Sequence, residues 1–238
     1  MRRMKNVNSN RKTPWFRIFG LVVLAAFLVF AGCESNGAGD DGDSAPSQPS
    51  DEEFSKVSET GTQAAGTMSG SADPETRNVG SQLNLSLSLY SAFFVGYLEG
   101  WEGDTGTYTY GGVTITVERD GDTWRWIYTD SETGETMVYE IVRLSDRWEF
   151  AWTINGEVFI DGFVSFDGLT GEMTLYEDST GNESYVLTWE PHDGEWYLVY
   201  TLEWYSSGTL EATATIRTNQ DGSAGTYDYG GETNVSWP

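Results

Sequence analysis

The chain has 238 residues, with 13 Lys plus Arg against 37 Asp plus Glu and a formal net charge of −24. So acidic a surface repels nucleic acid and anionic lipid headgroups, both of which are bound through clustered Lys and Arg, and both are excluded as partners. One cysteine and one histidine leave no disulfide framework and no histidine-based zinc site.

The N-terminus reads as an export signal. Arg2, Arg3, Lys5, Arg11, Lys12 and Arg17 precede an apolar run from Ile18 to Ala31. That run has 14 residues, short of the roughly 20 that a membrane-spanning helix needs, so cleavage is expected rather than a permanent span. Ala31 and Gly32 stand directly before Cys33, the single cysteine. This arrangement resembles the lipobox of bacterial lipoproteins, with Phe30 where a leucine is usual. The resemblance covers residues 1–33 only. It implies that the signal over 1–32 is removed, that the Cys33 thiol is acylated, and that the lipid holds the chain to a membrane. Glu34 follows, not the aspartate that favours inner-membrane retention in such lipoproteins, so the resemblance implies an exported protein anchored in the outer membrane. Six of the 13 basic residues lie in the signal and none of the 37 acids does, so the mature chain carries 7 − 37, or −30, with Lys56 its only lysine.

Residues 33–80 are rich in Gly, Ser, Asp, Glu, Thr and Pro, with few large apolar side chains to offset the entropy of ordering. A disordered acidic tether is expected there, with a mean reach of about 35 to 40 Å. Asp40, Asp41 and Asp43 lack the ligand spacing of a calcium loop, and no metal site is assigned. Over 83–98, Leu83, Leu85, Leu87 and Leu89 fit a strand, whereas Leu85, Leu89, Ala92 and Phe93 fit a helix. Ser81 is the candidate N-cap of the helical alternative. Both alternatives stay open.

From Gly106 onward, short alternating runs are separated by turn residues about every 11 to 14 positions, among them Asp120-Gly121-Asp122, Asn155-Gly156 and Ser206 to Gly208. No helical pattern intervenes. The expectation for 81–238 is an all-β domain: an antiparallel up-and-down meander of about 11 or 12 strands, curled into a closed or incomplete barrel and preceded by at most one helix. Trp124, Trp126 and Tyr128 alternate with polar neighbours, as do Trp148, Phe150 and Trp152, and then Trp196, Leu198, Tyr200, Leu202 and Trp204. One face of the sheet is therefore aromatic and buried. Gly106-Thr-Tyr-Thr-Tyr-Gly-Gly112 recurs as Gly225-Thr-Tyr-Asp-Tyr-Gly-Gly231, which would seal a seam if the first and last hairpins met.

Catalytic signals are sparse. His192 lies in a turn, no nucleophile elbow occurs, and no phosphate-cradling loop is present. Asp161 and Glu203 are the acids most embedded in strand sequence, yet alternation places them opposite the aromatic face. The chain is expected not to be an enzyme and to need no cofactor. Its candidate ligand-binding residues are the interior aromatics Trp124, Trp126, Trp148, Trp152, Trp196 and Trp204, which either pack on one another or line a pocket for a lipophilic molecule. Three readings of function follow: a lipid-anchored envelope protein with a structural role or an envelope-protein partner, a carrier of a lipophilic ligand, or a carboxylate-dependent glycan-active enzyme.

Overall fold

Alternation with period two puts every second side chain of a strand on one face, and here it does so along twelve consecutive strands. The structure, a computed structural model, describes residues 51–91, 105–110, 113–177, 181–192, 197–230 and 232–237. Cys33, Trp196 and residues 92–98 lie outside them. All described residues belong to the unit Pro46–Pro238.

Two helices come first, α1 (Asp51–Ser69) and α2 (Pro74–Tyr90). The strands follow as β1 (Gly106–Tyr110), β2 (Val113–Asp120), β3 (Thr123–Asp130), β4 (Thr136–Arg143), β5 (Arg147–Ile154) and β6 (Glu157–Ser165). They continue as β7 (Gly171–Tyr176), β8 (Ser184–Pro191), β9 (Leu198–Ser206), β10 (Thr209–Thr218), β11 (Gly225–Tyr229) and β12 (Glu232–Trp237). Each pairs antiparallel with its sequence neighbours, in the order β1 to β12. This is the expected meander. At the β5–β6 connection, Asn155 and Gly156 take φ of 52° and 84°, the pair of positive values that a two-residue hairpin turn demands.

The sheet is not closed: among the described residues β1 and β12 do not pair with each other. The incomplete form of the barrel is the one adopted, and the seam expected from the repeated Gly-Thr-Tyr motif does not form. Each copy of the motif instead opens a local hairpin, β1–β2 or β11–β12.

The tether expected over 33–80 is corrected from Asp51 onward, where α1 begins. Its buried positions are Val57, Thr60, Gly61, Ala64, Ala65 and Met68, a stripe at helical spacing built mainly of small residues. Small side chains contribute little area each, but they let backbones approach. A Cβ on Gly80 of α2 would lie 2.7 Å from Met68 Cβ and 2.9 Å from the Ala65 carbonyl, so the two helices meet at that glycine.

The helix allowed at 83–98 is real but begins earlier. Asp73 is its N-cap, its carboxylate accepting from the Thr76 N–H at 2.8 Å and the Thr76 hydroxyl at 2.7 Å, with Pro74 opening the first turn. Those bonds hold the Asp73 carboxyl below its ordinary range. Ser81 is not the cap; it lies inside α2 and donates to the Arg77 carbonyl at 2.8 Å.

Candidate functional site

The sheet's inner face carries its large side chains in transverse rows fixed by strand register. One runs Val117, Trp126, Tyr139, Trp152, Ile160 across β2 to β6. Another runs Trp148, Val164, Gly171, Trp189, Tyr200, Ile216, Tyr227 across β5 to β11. Of the six tryptophans expected to line an interior, Trp124, Trp126, Trp148 and Trp152 share this face on β3 and β5. Trp126, Trp148 and Trp152 are 4–5% exposed and Trp124 is half-buried. Ring contacts join Trp124 to Trp148 at 5.8 Å, Trp126 to Tyr139 at 5.6 Å and Trp152 to Phe159 at 5.4 Å. Trp204 belongs to a separate group, edge-to-face with Tyr185 at 6.4 Å and Tyr229 at 6.0 Å.

Over β8 to β11 the inner face is covered by the chain's own helices. Tyr200 on β9 donates its hydroxyl to the Val57 carbonyl of α1 at 2.7 Å. The Thr76 and Tyr227 hydroxyls, on α2 and β11, lie 2.6 Å apart. Tyr90 at the end of α2 meets the Trp189 ring edge-on at 5.0 Å and 62°. Burial of Tyr90 and Tyr200 pushes both phenols above the ordinary tyrosine range, so they stay neutral at any working pH. Trp189 itself donates to the Gly168 carbonyl at 3.1 Å, and its indole occupies the space that a Cβ on Gly171, its cross-strand partner, would need.

The embedded acids sit on the opposite face, as alternation requires. Asp161 accepts from the Tyr176 hydroxyl at 3.2 and 3.3 Å, and Glu203 accepts from the Tyr205 hydroxyl at 2.8 Å. Register runs Asp161, Thr174, Val186, Glu203 across β6 to β9, three strand spacings or about 14 Å. Paired glycosidase carboxylates work at about 5 to 9.5 Å, so these two are not poised as a catalytic pair. His192 is exposed at the end of β8. Among the described residues, no group of three or more His, Cys, Asp or Glu side chains is placed to hold a metal.

Desolvation raises the Asp161 carboxyl, outweighing the opposing Tyr176 bond. A carboxyl raised on folding favours the folded state while protonated and loses that contribution as pH rises through its folded value. Asp161→Asn should therefore gain on the wild-type chain in melting temperature between pH 4 and pH 7. Parallel melting curves across that range would contradict the assignment.

Sequence reasoning missed the two arginines at one end of the inner face. The Arg119 guanidinium lies over Trp124, 4.9 Å from the ring centre. Arg143 lies over Trp148 at 5.8 Å and Phe166 at 5.4 Å. The signal was present in the chain as Arg119-x-x-Asp122-x-Trp124 and Arg143-x-x-Asp146-x-Trp148, the same spacing around the β2–β3 and β4–β5 turns. Register then sets each arginine directly opposite its tryptophan.

Comparison with protein families, with curated proteins and with solved structures finds no match to this chain.

Proposed function

We propose that the chain is a lipid-anchored module of the bacterial cell envelope, held in the outer membrane through acylated Cys33, that acts by binding rather than by catalysis. The observation that carries this reading is the placement of α1 and α2 against the inner face of β8 to β11, through the Tyr200–Val57 and Thr76–Tyr227 bonds and the Tyr90–Trp189 contact. A carrier of a lipophilic molecule would need that interior for its cargo. With its β8 to β11 part occupied by the chain's own helices, the sheet's rim, edges and outer face are left to do the work. The separation of Asp161 from Glu203 likewise speaks against the glycan-cleaving alternative.

Cys33→Ser should move the protein from the membrane to the soluble fraction and abolish incorporation of labelled palmitate, with the β-rich circular dichroism spectrum unchanged. Native mass spectrometry of that soluble chain should show the bare polypeptide mass. A retained lipid would revive the carrier. Loss of folding in Cys33→Ser would show that anchor and domain are not separable.

A further inference from the structure

We propose that the rim formed by Arg119, Trp124, Arg143, Trp148 and Phe166 binds an acidic saccharide, a pyranose bearing a carboxylate or sulfate group. This rests on the binding-module reading and names the class of partner it takes.

Three independent features converge on one end of the inner face. The first is charge. Acids outnumber bases 37 to 13, and the three ion pairs among the described residues use Arg125, Arg147 and Arg217. Among the described residues Arg119 and Arg143 have no such carboxylate and lie instead on aromatic rings. Arg119 uses one N–H, Nε, on the Gly121 carbonyl at 3.2 Å, leaving the terminal nitrogens of its guanidinium unengaged.

The second feature is an orphan donor. Trp148 is 5% exposed, and its indole Nε1–H has no hydrogen-bond acceptor among the described residues. Buried donors are almost always paired, and an unpaired one invites an acceptor from outside the chain. This one belongs to the ring beneath Arg143 and beside Trp124 and Phe166.

The third is repetition. The Arg-x-x-Asp-x-Trp spacing occurs in the β2–β3 and β4–β5 hairpins, whose turns lie at the same end of the sheet, and the Arg143 N–H donates to the Asp122 carbonyl at 2.8 Å, tying the two turns side by side. Two guanidinium forks are thereby presented together, beside the partly exposed ring of Trp124. Arg over an indole also shields the ring from water, but shielding alone leaves the Trp148 N–H unpaired and needs no second copy.

The chemistry that fits is an anionic group on a flat, partly apolar ring. Carboxylate or sulfate oxygens accept from the guanidinium forks, and from the indole N–H once Arg143 turns off the Trp148 ring toward the ligand. The C–H face of a pyranose lies against the half-buried Trp124. A neutral sugar would supply the ring but leave the donors unmatched.

The test uses the full chain carrying Cys33→Ser, titrated at constant ionic strength with an oligogalacturonide, a sulfated galactan oligomer and a neutral galactan oligomer. Tryptophan fluorescence and calorimetry read the binding. At least one acidic oligomer should bind saturably and the neutral one about tenfold or more weakly; which acidic oligomer wins distinguishes carboxylate from sulfate. Arg119→Gln and Arg143→Gln should each weaken binding about tenfold or more, as loss of a charge-assisted fork implies. Arg217→Gln, whose partner is Asp228 on the outer face, should leave it unchanged. Equal binding of the neutral oligomer, unchanged affinity in a folded Arg143→Gln chain, or no binding of either acidic oligomer overturns the proposal. Any of these, with no lipid retained by native mass spectrometry, leaves the binding-module reading standing.

Discussion

Trp189→Ala is expected to lower folding stability by about 3 to 5 kcal/mol, the cost of deleting a large buried aromatic side chain. Trp189 is 1% exposed and touches three parts of the fold at once. It meets Tyr90 of α2, donates to the Gly168 carbonyl in the β6–β7 turn, and lies over Gly171 of β7. Removing the ring leaves a cavity beside a glycine that has no side chain to fill it, and it unpairs the Gly168 carbonyl. Gly171 cannot relieve the loss by movement, because Trp189 and Gly171 are cross-strand partners held by the β7–β8 ladder. Urea denaturation of the Cys33→Ser chain, with and without Trp189→Ala, measures the cost at an unchanged m-value. A loss under about 1.5 kcal/mol would mean that the helix and sheet do not meet at this ring.

Gly222→Ala is the second large effect, at about 2 to 5 kcal/mol, from a left-handed backbone and a steric overlap acting together. Gly222 has φ of 71°, which an L side chain adopts at a cost of about 1 to 2 kcal/mol. Its missing Cβ also faces α1. An added methyl would overlap the Thr60 carbonyl and lie 3.1 Å from Gln63 Cβ. Beside it, the Thr60 hydroxyl donates to the Gln220 carbonyl at 3.1 Å, so this turn is fastened to the helix and cannot swing clear. Gly121→Ala is the control: φ is 58° there, and nothing lies within 4 Å of the added methyl. The Gly222 variant should melt well below the Gly121 variant. Equal melting temperatures would mean that the β10–β11 turn does not rest on α1.

The strands were legible because alternation is local. Trp124 to Tyr128 and Trp148 to Trp152 state their own faces, and Asn155-Gly156 states its turn. α1 was not legible, because the burial of Thr60, Gly61, Ala64 and Ala65 has meaning only once Tyr200, Leu87 and the β10–β11 turn stand opposite. A stripe of small residues reads as weakly hydrophobic composition until the surface it approaches is known. The start of α2 was written in Asp73-Pro74-Glu75, a capping residue followed by proline and an acid, and was masked by the polar stretch around it. Closure was beyond local reading altogether. Whether β1 meets β12 depends on twist and bulges summed over the sheet, among them the register shifts at Trp152, Leu210 and Tyr227.

The candidate site divides the same way. The tryptophans announced themselves by size: four of the six came together on β3 and β5, and Trp204 shares their face on β9. Arg119 and Arg143 became visible only through register, which converts a five-residue separation along the chain into a cross-strand pair. The acids Asp161 and Glu203 stood out by their apolar neighbours, and register then set them three strands apart.

α1 and α2 are an integral part of the domain's core and occupy its inner face over β8 to β11. Amide hydrogen exchange over 51–69 in the Cys33→Ser chain tests this placement most directly. Val57 to Met68 should exchange only through openings nearly as costly as those that expose β9 and β10. Exchange of that segment at the rate of an unstructured chain, with the strands still protected, would contradict the account and return the segment to the role of a tether.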